Sequence, residues 1–472
     1  MSAAADARAG ALFAHHALLP QGWRRDVLLE WNVHGDLTSV APDTARTAQT
    51  AQAAQAEYVL PGMVNLHSHA FQRALAGLTE RAGSASGKAA GKSADSFWTW
   101  RELMYRFAGR ITPAQIEAIA AQLYAECLRH GYTAMCEFHY IQRDVDGAPY
   151  ARPAHTAERI AAAARQTGIG LTLLPVLYAH SGFNEQPLIE AQRRFRSDPE
   201  FVLRVVEALE GLRGPQLEVG AAPHSLRAAS MAQVRELAQA LPAGRPLHIH
   251  IAEQQLEVDQ CLQATGRRPV DYLFDEMPVD ARWCLVHATH LSASEVARIA
   301  ASGAVAGLCP TTEANLGDGL FPLEAFLQAG GRFGIGSDSH VSHSPVEELR
   351  WLEYGQRLLH RRRNIAVTDR QRDVATLLWQ RALQGGAQAS GRRLGALQPG
   401  SRADLLVLDA GHPNLDGAAP GEVPGRLLFC GNDNLVRDVL AGGAWVVRDG
   451  RHVAQEEIAR DYKMALRALR AA

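Results

Sequence analysis

Two histidines separated by a single residue, His67 and His69, close an apolar run early in the chain. Side chains two residues apart on a β-strand point to the same face, so the two imidazoles can bind one ion together. Imidazole is a favoured zinc ligand, and two histidines with a third histidine and a carboxylate leave one position open for water. The spacing therefore predicts part of a metal site, whose other ligands must come from elsewhere in the chain.

The missing ligands are predicted at the ends of two later apolar runs. His248 and His250 are also two residues apart, and only one of them is needed. His250 is the preferred ligand because Glu253 follows it at the loop, which leaves His248 as a supporting or core residue. Asp338 ends the last run and supplies the carboxylate. A lone His-X-His pair has little specificity, whereas this combination of positions indicates a metal site.

Eight short apolar runs carry these residues, and longer amphipathic stretches separate them. Short strands that alternate with helical patterns are typical of βα units. Eight such units predict an α/β protein with a closed (β/α)8 TIM barrel. The runs read GMVNLHSH, YTAMCEFHY, IGLTLLPVLY, LEVGAAPH, PLHIHIAE, RWCLVHATH, AVAGLCPTT and RFGIGSD.

Nearly every run ends in polar or ionisable side chains. The carboxyl ends of barrel strands meet at one mouth, where barrels of this type hold their active sites. A single histidine at a strand end most simply satisfies local hydrogen bonds, but the whole set indicates a shared site. Glu313 has no chemical partner that the sequence reveals. The other members are Glu137, His139, Tyr140, His180, His224, Glu253 and His287.

The two ends of the chain read as short strands with turns, unlike the region between them. Residues 1–57 and 395–455 are predicted to form one small β-sandwich domain, and residues 58–394 the metal-dependent barrel. Residues 456–472 are predicted to be a C-terminal helix. The segment Ala82–Asp95 is small, polar and glycine-rich, which predicts a mobile loop inserted into the barrel.

Composition places few constraints on the function. Of the 472 residues, 47% are hydrophobic and 21% are charged, which is ordinary for globular proteins. A net charge of -2 provides no attraction to nucleic acid or to anionic membranes. No apolar stretch reaches the ~18 residues of a membrane span, and the N-terminus lacks a signal-peptide pattern, so a cytoplasmic location is expected. The six cysteines lack a CxxC pair, and a homodimer is expected because such barrels often dimerise.

The chain resembles the amidohydrolase superfamily from Pro61 to beyond Asp338, and the trailing PGSRADLLVLD resembles that superfamily's returning β domain. Within the superfamily, LHSHAFQRALAGLTER, FWTWRELMY, HIHIAEQ, CPTTEANLGDG and GSDSHVS closely resemble the formimidoylglutamate deiminases of histidine breakdown. The resemblance implies hydrolysis of N-formimino-L-glutamate to N-formyl-L-glutamate and ammonia. The Ala82–Asp95 segment is longer than this resemblance suggests.

The same resemblance implies roles for named residues around one metal ion. Glu253 and His287 would handle protons beside the metal. A separate hypothesis is that Asp338 orients the attacking water or accepts its proton. The zinc ligands would be His67, His69, His250 and Asp338.

The implied substrate carries two carboxylates. Guanidinium groups bind carboxylates in a bidentate manner, so Arg101 and Arg227 are the candidates to hold them. The full set of implied substrate contacts is Gln72, Arg101, Tyr140, His224 and Arg227.

The lysine count bears on the number of metal ions. The chain has only Lys88, Lys92 and Lys463, none of them in a predicted strand, which excludes a metal pair bridged by a carboxylated barrel lysine. One Zn2+ is therefore expected, and Fe2+ or another divalent transition metal fits the same ligands. Two other functions stay open at this point. One is an aromatic-amine deaminase of the guanine or adenosine type, and the other is a catalytically inactive barrel that serves as a binding protein.

Overall fold

The computed structural model describes residues 8–48, 50–80 and 97–471. The predicted insertion Ala82–Asp95 lies outside these residues. Within the described ranges, no helix combines the length and apolar character that crossing a membrane requires.

All eight apolar runs form strands of one parallel barrel, numbered here barrel strands 1 to 8 in chain order. Neighbouring strands pair in parallel within two groups of four. An isolated bridge between Ser68 and Asp338 joins strand 8 to strand 1, and bridges such as Ala221–Leu247 join strands 4 and 5, so the barrel closes. The (β/α)8 prediction is confirmed. The strands are Met63–Ser68, Tyr132–His139, Gly170–Leu177, Leu217–Val219 with Ala222–Pro223, Leu247–Ile251, Trp283–His287, Val305–Leu308 and Arg332–Ile335.

Helices connect the strands, and local sequence sets their ends. At helix Pro113–His130, the Thr112 hydroxyl accepts the Gln115 N–H and proline occupies the first turn, a strong N-terminal capping arrangement. Gly131 ends this helix with φ of 103°, a conformation that glycine adopts without steric cost. The other helices of the barrel region are Phe97–Ala108, His155–Thr167, Pro199–Leu209, Met231–Ala240, Gln255–Thr265, Pro269–Glu276, Ala293–Ser302, Pro310–Leu316, Leu323–Gln328, Pro345–His360 and Val374–Ser390.

Strands from both chain ends share one eight-stranded sheet. Strand Ala54–Pro61 pairs with the N-terminal strand Gly10–Leu19 on one side and with Leu405–Leu408 on the other. The sheet curls until Trp31 and Trp445, near its opposite edges, lie 6.5 Å apart between ring centroids. The prediction that both chain ends contribute to one small β domain is thus confirmed, with its strands in a single curled sheet. The remaining strands are Gly22–Trp31, Leu37–Ala41, Val436–Ala441, Ala444–Arg448 and Arg451–His452, and the helices are Val423–Phe429 and Gln455–Ala471.

Close packing of helix Val374–Ser390 on barrel strand 8 leads to a stability prediction. A Cβ on Gly385 would lie 1.9 Å from the Phe333 carbonyl oxygen, so Gly385→Ala must push the helix off the strand. We expect a loss of about 1–3 kcal/mol in unfolding free energy, measured by urea or thermal unfolding. Gly211→Ala is the control, because a Cβ there meets nothing within 4 Å. Equal unfolding midpoints for the two variants would contradict the prediction.

Candidate active site

The three histidines predicted as metal ligands converge at the mouth of the barrel. His67 Nε2 lies 3.2 Å from His69 Nε2 and 2.9 Å from His250 Nε2. Asp338 Oδ1 lies 3.4 Å from His67 Nε2 and 3.3 Å from His69 Nε2. All four side chains are buried. Strands 1, 5 and 8 thus bring the four predicted ligand residues together around one point.

Backbone carbonyls orient two of these rings. His69 Nδ1 lies 3.0 Å from the Phe138 carbonyl oxygen, and His250 Nδ1 lies 2.9 Å from that of His224. Because a carbonyl oxygen only accepts, each Nδ1 carries the ring hydrogen. In the neutral rings each Nε2 therefore presents a lone pair to the cluster centre.

The donor set fits a divalent cation. Burial lowers the pKa of His67 to about 3 and also lowers the pKa values of His69 and His250, which keeps these rings neutral. Two lone pairs and the Asp338 carboxylate then face His67, whose ring can donate only one hydrogen at Nε2. A cation at the centre satisfies all four groups at once, and three imidazoles with one carboxylate suit zinc.

Glu253 and His287 lie beside this cluster and within reach of each other. His287 Nε2 is 3.6 Å from Glu253 Oε1 and 3.8 Å from Asp338 Oδ2. Burial raises the pKa of Glu253 to about 7. Burial alone lowers the pKa of His287. The carboxylates of Glu253, Glu313 and Asp338 outweigh burial and raise this pKa to about 10. A cationic imidazole thus faces a carboxyl group that titrates near neutral pH, as proton transfer requires.

Unusual backbone conformations place two of these groups. His287 has φ of 67°, the following Ala288 has φ of 48° and Asp338 has φ of 45°, all in the left-handed region. Such conformations cost on the order of 1–3 kcal/mol each and persist where the surrounding structure imposes them. At Asp338, that structure is strand 1, since Asp338 N–H donates to the His67 carbonyl at 3.0 Å and His69 N–H donates to the Asp338 carbonyl at 3.2 Å.

All five predicted substrate-contact residues line one pocket with the ionisable cluster. Gln72 Nε2 donates to the Tyr140 hydroxyl at 2.9 Å, which ties two of them together. Aromatic rings form much of the remaining wall. The lining residues are His69, Gln72, Phe97, Trp100, Arg101, Met104, Tyr105, Tyr140, Tyr178, Phe195, His224, Arg227, His250, Glu253, His287, Leu316 and Asp338.

Arg101 and Arg227 give the pocket a cationic side. The Arg101 guanidinium lies 5.5 Å from the centroid of the Tyr105 ring. Burial lowers the pKa of Arg101, and the positive charge of Arg227 lowers it further. Burial also lowers the pKa of Arg227, but the negative charges of Glu257 and Glu253 outweigh this effect, so the pKa of Arg227 is raised overall. Both guanidinium groups line the same pocket, and their positive charges favour an anionic ligand.

Some of the polar strand-end residues point elsewhere. His139, His180 and His248 are absent from the pocket lining. His248 Nε2 donates to the Ala389 carbonyl at 2.8 Å, toward the outer helix, and His180 is hydrogen-bonded to Gln233 at 3.1 Å. A position near a strand end therefore does not by itself place a side chain in the pocket: His248 and His250 share one strand, and only His250 lines the pocket.

Two carboxyl groups that received no role from the sequence lie against the proton-handling pair. Glu313, for which the sequence reveals no chemical partner, has its Oε1 3.3 Å from His287 Nδ1. Asp318 has a carboxyl oxygen within 4.8 Å of ligand atoms on Glu253 and His287, and it accepts a hydrogen bond from Gln254. Burial, and then the charge of Glu253, raises the pKa of Asp318 to about 10. Both residues lie in the motif CPTTEANLGDG, and this motif was the signal in the sequence that could have pointed to them.

Similarity to known proteins shows the family of this chain. Residues 58–446 match the model of the amidohydrolase family. A formimidoylglutamate deiminase of Pseudomonas aeruginosa is 53% identical over 457 residues, covering 97% of this chain and 98% of that protein. An 8-oxoguanine deaminase of the same organism is 28% identical, covering 83% and 82%. The crystal structure of an amidohydrolase from Brucella melitensis superposes with a TM-score of 0.90 at 44% identity, covering 98% and 99%. The chain belongs to the amidohydrolase family.

Proposed function

We propose that this protein hydrolyses N-formimino-L-glutamate to N-formyl-L-glutamate and ammonia, a step of histidine degradation. One observation carries the proposal: a single pocket joins a cluster of histidines and an aspartate to two arginines, the half-buried Arg101 and the buried Arg227. A substrate with a hydrolysable C=N carbon at one end and two carboxylates at the other matches this distribution of charge. The identity of 53% to a formimidoylglutamate deiminase over nearly the whole chain supports the same substrate.

The metal in this proposal is one Zn2+. When bound, zinc lowers the pKa of water toward about 7 and so supplies a nucleophile at neutral pH. The absence of lysine from every barrel strand supports a single ion, and Fe2+ fits the same donors. Its ligands are His67, His69, His250 and Asp338.

The remaining polar groups manage protons and charge. Asp338 orients the attacking water, and Glu253 takes its proton as the C–O bond forms at the formimino carbon. The His287 imidazolium stabilises the tetrahedral intermediate. Glu253 delivers the proton taken from water to the imino nitrogen and then transfers the hydroxyl proton of the intermediate to the same nitrogen, so that the C=O bond forms and the C–N bond breaks with ammonia as the leaving group. Positioned groups of this kind typically contribute about 10²–10⁴-fold.

An aromatic-amine deaminase is the second candidate, because aromatic rings such as Trp100, Tyr105 and Phe195 line the pocket. The relative at 28% identity, an 8-oxoguanine deaminase, belongs to this class. A neutral purine, however, offers no carboxylate to the guanidinium groups of Arg101 and Arg227, whereas a dicarboxylate can pair with both. The dicarboxylate is therefore the better match.

Ammonia release from a substrate panel tests the proposal. Zinc-loaded enzyme is incubated separately with N-formimino-L-glutamate, guanine, 8-oxoguanine and adenosine. We expect rapid release from the formimino substrate alone. Release from a purine and none from the formimino compound would overturn the substrate assignment.

Arg227→Met should weaken binding of the dicarboxylate. Methionine keeps much of the side-chain length but cannot pair with a carboxylate, so KM is expected to rise about 10–100-fold. Steady-state kinetics on N-formimino-L-glutamate measure this effect. Arg204→Met is the control, because Arg204 forms a surface pair with Glu200 on helix Pro199–Leu209. An unchanged KM for Arg227→Met would rule out its contact with the substrate.

A further inference from the structure

His287 has a carboxylate on each side of its ring. Its Nε2 faces Glu253 Oε1 at 3.6 Å, inside the pocket. Its Nδ1 faces Glu313 Oε1 at 3.3 Å, on the side away from the pocket. Glu313 does not line the pocket and is only 4% exposed. Its contact with His287 therefore connects it to the pocket.

The Glu313 carboxylate is itself held in place. It lies on the short helix Pro310–Leu316, which begins directly after barrel strand 7. Its Oε1 accepts the backbone N–H of Cys309 at 2.8 Å, and its own N–H donates to the Cys309 carbonyl at 2.9 Å. The first bond holds the carboxylate at the end of strand 7, and the second holds the Glu313 backbone there. From this position the carboxylate contacts His287 on strand 6.

This arrangement decides how the imidazole is used. A carboxylate only accepts, so His287 Nδ1 must carry a hydrogen toward Glu313. Nε2 is then the atom directed at Glu253 and at Asp338 Oδ2, 3.6 and 3.8 Å away.

We propose that Glu313 is a positioning residue for the proton-handling histidine. It fixes the ring orientation of His287 and stabilises its positive charge during turnover. The proposal rests on the function proposed above, in which His287 stabilises the tetrahedral intermediate. The relation between a histidine and the carboxylate behind it is the one known from hydrolase triads.

Two substitutions separate orientation from charge. Glu313→Ala removes both and should lower kcat about 100-fold, with KM within about threefold of wild type, since no substrate contact is lost. Glu313→Gln retains an oxygen that accepts from Nδ1 but removes the charge, so a smaller loss of about 10-fold is expected. Glu353→Gln is the control for removal of a buried carboxylate, because the Glu353 carboxylate lies away from the pocket. There it accepts hydrogen bonds from the backbone N–H groups of Ile365 and Ala366.

A double-mutant cycle gives the decisive readout, with kcat expressed per bound metal. If Glu313 acts through His287, Glu313→Ala in a His287→Asn background costs no further activity. Multiplicative losses in the double variant would overturn the proposal, as would wild-type kcat in Glu313→Ala. If Glu313→Ala does not fold, the same cycle is run with Glu313→Gln. The cycle uses whichever panel substrate the wild-type enzyme turns over, so failure of the substrate assignment is a separate result.

Discussion

Glu253→Gln is expected to lower kcat by about 10²–10⁴-fold while the enzyme keeps its metal. Glutamine has nearly the same shape as glutamate, but its amide can neither accept the proton of the attacking water nor deliver one to the departing nitrogen. Glu253 is not among the four clustered donors, and its Oε1 faces His287 at 3.6 Å. The loss should therefore fall on turnover rather than on metal binding.

Ammonia release and metal content of the purified variant are the two measurements. Glu353→Gln, which removes a buried carboxylate outside the pocket, should match wild type in both. A Glu253→Gln enzyme with near-wild-type kcat would disprove the proton-transfer role. Loss of metal together with activity would show instead that Glu253 belongs to the metal site.

His250→Ala is expected to abolish metal retention and to lower activity by about 10³-fold or more, which corresponds to several kcal/mol of transition-state stabilisation. His250 Nε2 lies 2.9 Å from His67 Nε2, so its removal takes one of four donors from the cluster. Chelation of the wild-type enzyme should produce a comparable loss, and added Zn2+ should reverse it.

The same strand offers the matched control. His248 is two residues earlier, but its Nε2 donates to the Ala389 carbonyl. His248→Ala should retain metal and a kcat within about threefold of wild type, and its unfolding midpoint should fall because a buried carbonyl loses its donor. Metal analysis distinguishes the two variants. Equal loss of metal from both would contradict the assignment of His250 as the ligand.

The barrel could be predicted because its strands are buried on both faces. Such strands read as continuous apolar runs rather than alternating ones, and all eight runs in this chain proved to be strands. The position of a polar residue at the end of a run then predicts proximity to the mouth, since all carboxyl ends of a parallel barrel lie at one edge. The two-residue periodicity of a strand likewise placed His67 and His69 on one side.

The role of Glu313 and the location of Asp318 could not be predicted in this way. Helix Pro310–Leu316 is too short for an apolar periodicity to be recognised, and the partners of both residues lie on strands 5 and 6, far away in sequence. Parallel pairing of strands 5, 6 and 7 brings these segments together. The left-handed backbone conformations of His287 and Asp338 could not be predicted from the sequence either. Neither residue type requires such a conformation, and the neighbouring strand imposes it.

The amino-acid sequence by itself determined the barrel, the residues at its mouth and the family resemblance, because these depend on strand burial and on local spacing. The tertiary structure alone decided which of those residues share the pocket, which nitrogen of His69 and His250 faces the cluster, and which carboxylates flank His287. These features depend on distances of a few ångströms between side chains on different strands. Such distances follow from the closure of the barrel, and local periodicity does not encode them.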